Sequence, residues 1–293
     1  MLRIGVLADP HYAPRDTVNG RYYRDSLRKL RQCAQVLQSE RVDLAVNLGD
    51  LVDTTRNIRE VRSHLNAALD ALSPYSGEWL HVLGNHDLLE LDKDSFLAAC
   101  TGHRGRPAER CGYYFKDVGG YRLVVLDGNF DGMGRSYNRE EFDWTDCYIS
   151  PAQLIWLKDT LAQAKETGLR AVVFTHENLD ERQTPEGRDP HVVHNSGQVR
   201  SILEESGAVL GVIQGHCHTG YYQVIRGIPY FTFPSMVVDP DGADATFGIL
   251  ELEGESMAVA GLGSGWKNSR TGLEGRIVLR EANGAVPGEA RPG

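Results

Sequence analysis

Five short motifs hold side chains able to bind metal or move protons. They are Asp9-Pro10-His11, Gly49-Asp50-Leu51-Val52-Asp53, Gly84-Asn85-His86-Asp87, His176 and Gly215-His216-Cys217-His218. Imidazole and carboxylate together suit Mn, Fe, Zn, Ni or Co. Two divalent ions about 3.5–4 Å apart repel strongly, and an anionic bridge relieves that repulsion. Asp50 is the best candidate for the bridge, with a solvent hydroxide as the second. With Asp9 and Asp50 as the charged ligands, such a site keeps a net charge of about +1 and attracts a phosphate oxygen. A lone Asp-x-His is commonplace, a lone His after a strand is usually a satisfied polar residue, and Gly-Asp alone can be a turn. Gly-Asn-His-Asp and Gly-His-x-His are uncommon, and all five motifs in this order point to a binuclear centre.

Each motif sits just beyond a short apolar run. The runs 2–8, 44–48, 79–83, 121–126, 171–174 and 208–214 predict buried strands. Between them, helical spacing marks 23–39, 58–72, 152–167 and 198–205, with Ser150-Pro151 supplying an N-cap and a first-turn proline. This alternation predicts an α/β core, whose sites form at the carboxyl ends of strands. Close-set runs at 221–226, 228–233, 246–251 and 256–260 predict a second, mostly antiparallel sheet. The stretches 129–148 and 177–196 resist assignment, and loops of that length are usually functional or disordered.

The chain has 293 residues, 41% of them hydrophobic, enough for one large domain or two small ones with ample core either way. With 31 Lys+Arg against 40 Asp+Glu, its formal charge of −9 argues against a broad face for duplex nucleic acid, and against a nuclease. No run of 18 apolar residues suggests a membrane span. The N-terminus enters a strand at once, so a cytoplasmic location is expected. Five cysteines without a CxxC pair fit reduced, buried thiols.

The set of motifs resembles the calcineurin-like binuclear metallophosphoesterase superfamily, from Leu2 to about Thr219. The resemblance implies a four-layer α/β/β/α sandwich of two mixed sheets flanked by helices. It implies one domain over 1–283, with 284–293 a flexible tail. It assigns Asp9, His11 and His218 to a first metal, Asn85, His176 and His216 to a second, and Asp50 to the bridge. His86 would contact the phosphate, stabilising the transition state or protonating the leaving group. Asp87 would orient His86 by accepting a hydrogen bond, and Asp53 would position the Asp50 loop. A bridging hydroxide would then attack phosphorus in line with the leaving oxygen.

Other segments resemble the manganese-dependent ADP-ribose/CDP-alcohol diphosphatases. These are 21–27 (RYYRDSL), 150–157 (SPAQLIWL), Phe247-Gly248 and 261–265 (GLGSG). The chain departs from that pattern in His11, where Gln is usual, and in Asp87, where Glu is frequent. This resemblance makes manganese the leading metal and leans the substrate toward a phosphodiester or nucleoside diphosphate-linked compound. The alternative is a phosphomonoesterase or cyclic-nucleotide phosphodiesterase on the same scaffold. A non-catalytic scaffold is disfavoured, because all seven ligands and His86 are present. Substrate contacts are expected from the loops. Arg21, Tyr22 and Tyr23 could reach a second phosphate or stack on a base, and His191, His194 and Asn195 could contact substrate. Phe130, Tyr137, Phe142 and Trp144 either line a pocket or pin their loop, pinning being favoured. A homo-oligomer through this loop or the last strands stays open.

Overall fold

The computed structural model describes residues 1–55, 57–102, 112–137, 143–268 and 276–287. Phe142, Cys111 and positions 288–293 of the expected tail lie outside the described residues. In chain order the first half runs β1 (Leu2–Leu7), α1 (Ser26–Ser39), β2 (Leu44–Asn47), α2 (Ile58–Leu72), β3 (Glu78–His81), α3 (Lys93–Gly102), β4 (Tyr114–Val118) and β5 (Tyr121–Val125). It continues α4 (Pro151–Glu166), β6 (Arg170–Thr175), β7 (Gln183–Thr184), β8 (Gly187–Arg188), α5 (Ser196–Ser206) and β9 (Val209–Gln214). The chain then closes with β10 (Thr219–Ile225), β11 (Ile228–Pro234), β12 (Phe247–Glu253), β13 (Ser256–Leu262) and β14 (Arg276–Arg280).

Two six-stranded mixed sheets pack face to face, in the orders β14-β13-β12-β1-β2-β3 and β10-β11-β9-β6-β5-β4. Ile4, Val6, Val46, Val125, Val172, Phe174, Ile213, Phe231 and Phe233 fill the space between them. Strands buried on both faces need apolar residues at every position, which is why their sequences lack alternation. The outer face of the first sheet is covered by α1, through Leu30, Cys33, Ala34 and Leu37, and by α2, through Val61, Leu65, Ala68 and Leu69. Leu157 and Leu161 of α4 with Val199 and Leu203 of α5 do the same for the second sheet. These spacings of three and four residues put one apolar stripe on the sheet. The expected cap forms, Gln153 N–H donating to Ser150 Oγ at the start of α4, and the structure adds a second at α2, where Arg59 N–H donates to Asn57 Oδ1.

The late strands depart from the expected separate sheet. The hairpin β10–β11 joins the second sheet, through the parallel pair β11–β9, while β12 and β13 return to the first. There β12 pairs antiparallel with β1, Leu2 opposite Leu252 and Ile4 opposite Leu250. β1 has β2 on one side only, so its other edge would bury unpaired backbone groups without β12. Hence each sheet is mixed. α3, β4 and β14 were not expected. In β4 the polar Lys116 and Asp117 interrupt any apolar run, as suits an edge strand. No described helix is long and apolar enough to cross a membrane. Cys33, Cys100, Cys147 and Cys217 are free thiols, the first three buried.

Candidate metal centre

All five motifs leave the sheets at one end. Those after β1, β2 and β3 come from the first sheet, and those after β6 and β9 from the second. Backbone hydrogen bonds lock the loops together. His11 N–H donates to Asp50 O (2.8 Å), Gly215 N–H to His176 O (3.2 Å) and Val237 N–H to Asp9 O (3.2 Å). Crowding explains two of the glycines. A Cβ at Gly49 (φ +102°) would lie 2.7 Å from His176 Nδ1, and one at Gly84 would lie 2.2 Å from Asp50 N. Asp9, His11, Asp50 and His216 all take positive φ, between 46° and 68°. Non-glycine residues pay for that conformation, and such strain gathers at functional sites.

The structure brings the expected ligands into two groups. Asp9, His11 and His218 form one, and Asp50, His176 and His216 the other; within each, one ligand atom per residue lies within 4.8 Å of the rest. Asp50 also faces the first group, its Oδ2 lying 3.4 Å from His11 Nε2 and 3.3 Å from His176 Nε2. Asn85 Oδ1 is 3.2 Å from His176 Nε2.

The donor chemistry fits cations. His176 Nδ1 lies 2.8 Å from the carbonyl of Leu48, an acceptor only, so this nitrogen holds the proton. Nε2 then faces two further acceptors, Asp50 Oδ2 and Asn85 Oδ1, a place that a proton fills without metal and a cation would fill with it. In the same way His11 Nδ1 faces Asp53 Oδ2 at 3.2 Å, leaving its Nε2 lone pair 3.1 Å from His218 Nε2. His216 Nε2 is buried without a hydrogen-bond partner among the described residues. Acceptors that converge on one another with little but a shared proton between them are what a transition ion needs and what a packed core avoids.

The electrostatics of the protein groups alone carry the same signature. Burial pushes the Asp9 carboxyl up to about 7, with the Asp50 charge adding to the rise and His176 opposing it. Burial works against charging Asp50 too, but His176, His86 and His11 around it hold it well below the carboxylate range. Burial lowers His216 and His218 well below the usual imidazole value, helped by cationic neighbours. His176 goes the other way: burial disfavours its charged form, yet Asp50 beside it prevails and lifts it well above normal.

One pair of expected roles is exchanged. Asp87 does not hold the His86 ring. Its carboxylate accepts the backbone N–H groups of Asp50 (2.9 Å), Gly84 (3.1 Å) and Val52 (3.2 Å), so it organises the Asp50 and Gly84 loops. Asp53, expected to position the Asp50 loop, faces the imidazoles instead. Its Oδ1 lies 3.4 Å from His86 Nδ1 and its Oδ2 3.2 Å from His11 Nδ1. The 3-10 turn His86–Leu88 sends Asp87 inward under its own loop, and the extra residues to Asp53 carry that carboxylate across to the rings. The three-residue step from Asp50 to Asp53 was the available signal.

Around the rim the candidates divide. Asn19 and Gly20, both at positive φ, make a tight turn that returns Arg21 to pair with Val18. The Arg21 charge acts on Asp9, His86 and His218. His191 stands with its ring 4.9 Å from that of His216 and its Nδ1 2.6 Å from Asp189 Oδ1. Trp144 lies edge-on to His216, ring centres 5.3 Å apart, and is 37% exposed, so it faces the site rather than pinning its loop. Pinning falls to Tyr137, whose hydroxyl donates to Asp146 O (2.7 Å). Phe130 packs over Lys93.

The other candidates are engaged elsewhere. Tyr22 is half-buried, its backbone N–H tied to Val237 O, and Tyr23 is buried against Ala13 and Val237. His194 stacks on Tyr148 (4.8 Å, 9°), with Nε2 3.0 Å from Thr145 O. Asn195 pairs with both backbone groups of Ile149. Tyr23, His194 and Asn195 thus build the loops rather than reach a substrate, because polar side chains beside a long loop are its nearest partners for buried backbone groups. Sequence reasoning missed Arg15 and Asp189, which lie in loops without a recognisable spacing.

Residues 2–220 match the family model described as calcineurin-like phosphoesterase. Curated relatives include manganese-dependent ADP-ribose/CDP-alcohol diphosphatases of Xenopus tropicalis, 23% identical over 88% of this chain and 91% of the relative, and of Oryza sativa subsp. japonica, 22% identical over 89% and 91%. Among solved structures, a dimetal phosphatase from Danio rerio superposes with TM-score 0.78 at 22% identity, covering 94% of this chain and 98% of that one.

Proposed function

The chain belongs to the calcineurin-like phosphoesterase family and is a metal-dependent phosphoester hydrolase, and from that premise we propose that it cleaves nucleoside diphosphate-linked substrates of the ADP-ribose or CDP-alcohol type. The observation that carries this reading is the pairing of two candidate ligand clusters with a separate cationic group, Arg21, whose charge acts on Asp9, His86 and His218. A monoester needs only the clusters. A second phosphate needs a further positive charge, and a chain of net charge −9 supplies little elsewhere.

Asp9, His11 and His218 would hold one ion and Asn85, His176 and His216 the other, with Asp50 shared. When bound, the ions neutralise phosphate oxygens and activate water as the nucleophile; manganese is the leading metal, with Fe, Zn, Co or Ni compatible with the donors. His86 turns Nδ1 toward Asp53, so Nε2 is the nitrogen left to donate a proton to the leaving oxygen. Arg21 would draw the second phosphate toward that side. Trp144 and His191 would wall the other side against the nucleoside or its partner group. Residues 1–283 read as one domain, and the free thiols support a cytoplasmic location.

A metal-by-substrate panel tests this reading. Protein reconstituted with Mn should cleave ADP-ribose to AMP and ribose phosphate, or CDP-choline, well faster than bis-p-nitrophenyl phosphate, p-nitrophenyl phosphate or cyclic AMP. Asp50→Ala should abolish turnover. Selective release of inorganic phosphate from monoesters would overturn the substrate assignment and leave the family intact.

A further inference from the structure

Arg15 lies four residues after His11, in a loop with no chemistry of its own, yet its side chain ends inside the centre. Its Nη2 donates to Asp53 Oδ2 at 3.1 Å, while its Cζ sits 3.8 Å above the ring of Tyr23. Tyr23 is itself fixed in a small apolar cluster with Ala13 and Val237. The guanidinium is therefore clamped between a buried ring and a fully buried carboxylate. An ordinary exposed ion pair holds two mobile chains and contributes little; here the carboxylate is fully buried, and the guanidinium, on a side chain 39% exposed, has a buried ring on its other side.

Asp53 is the carboxylate on which two imidazoles turn. Its Oδ2 accepts from Arg15 Nη2 and faces His11 Nδ1 at 3.2 Å, and its Oδ1 accepts the N–H of Thr54 (2.7 Å) and faces His86 Nδ1. Among the described residues, Arg15 is the one side chain against this carboxylate that is neither a candidate ligand nor the candidate acid. We propose that Arg15 is a positioning residue for leaving-group protonation, acting through Asp53 to aim His86. The proposal rests on the role given to His86 above. The proton moves from His86 Nε2 to the departing oxygen, leaving a neutral imidazole that solvent reprotonates. Arg15 takes no part in that transfer. It holds Oδ2, the oxygen that also faces His11, and so fixes the carboxylate plane that keeps Oδ1 toward His86 Nδ1.

The test reads leaving-group dependence in the Mn-loaded full chain. Substrates are methyl aryl phosphate diesters whose phenols run from p-nitrophenol, which departs unaided, to phenol, which needs a proton. Arg15→Ala should lower kcat about tenfold on the phenyl ester, with KM and Mn content unchanged, and leave the p-nitrophenyl ester within about twofold. Arg15→Lys, or guanidinium ion added to Arg15→Ala, should restore most of the loss. An equal loss on every ester, a loss carried by KM, lost Mn, or no loss at all would each overturn the proposal. His86→Asn run alongside separates the two readings. If it shows the gradient and Arg15→Ala does not, only the proposal falls. If His86→Asn shows no gradient, the role of His86 falls and the proposal with it.

Discussion

Asp53 and Asp87 are both buried carboxylates within four residues of a candidate ligand, and they face different chemistry. Asp87 has three backbone N–H donors, so its work is to satisfy groups that the turns leave without partners. Asp53 has two imidazoles, so its work is to set which ring nitrogen faces the centre. The substitutions should therefore fail differently. Asp53→Asn should fold normally and lose activity by about 10–100-fold, because an amide can aim its NH2 at a ring nitrogen and upset the tautomers of His11 and His86. Asp87→Ala strands three buried donors at about 1–3 kcal/mol each, so its first symptom should be a lowered Tm. Thermal melts beside kcat for both variants check this, and equal effects on both readouts would show that the two carboxylates do one job. Spacing could place both near the centre, but which carboxylate meets a ring depends on how the 3-10 turn after Asn85 directs its side chains, and no spacing encodes that.

At the scale of elements, the legible part was the part under tightest physical constraint. Strands buried on both faces have no option but continuous apolar sequence, so β1, β2, β6 and β9 stood out, and the ligands followed from the ends of those strands. Edge strands and rim loops answer to weaker demands. β4 alternates half-buried and exposed residues, and Tyr23, His194 and Asn195 carry polar groups that can serve a loop or a substrate equally. Glycines between strand and ligand belong to the constrained class. At Gly84 an added methyl meets Asp50 N and Oδ1 at 2.2 Å, and neither can retreat, since the backbone N–H is bound by Asp87. Gly84→Ala should thus displace the shared carboxylate and lower Mn stoichiometry, while Gly20→Ala, with nothing within 4 Å, should change metal content little despite its strained φ of +73°. Metal analysis of both purified variants settles it. Normal stoichiometry in Gly84→Ala would mean that the loop has slack the packing does not suggest.

Across the whole molecule, the centre is a seam. The first sheet contributes Asp9, His11, Asp50 and Asn85, and the second contributes His176, His216 and His218, so each candidate ion draws on both. A bound ion then braces the two sheets at the end where the motifs leave them. Its contribution grows with occupancy, by about 2.7 kcal/mol at a hundred times Kd. Chelation should lower Tm, and hydrogen exchange should accelerate in the strand-end loops before the intersheet core around Phe174 and Phe231 responds. The dependence on pH should differ between the two forms. Without metal, Asp9, raised to about 7 by burial and the Asp50 charge, binds its proton more tightly folded than unfolded. The stability it contributes is full below about 4 and is lost as pH rises through about 7. With metal, the same carboxyl must be deprotonated to bind, so affinity and the stability linked to it rise with pH across that window. His216 and His218, lowered by burial, offset part of the Asp9 slope without metal, so melts from pH 5 to 8 should show the gap between EDTA and saturating Mn widening toward the alkaline end. Parallel slopes would mean that the ions do not draw on Asp9, and the seam would have to be closed by the remaining ligands.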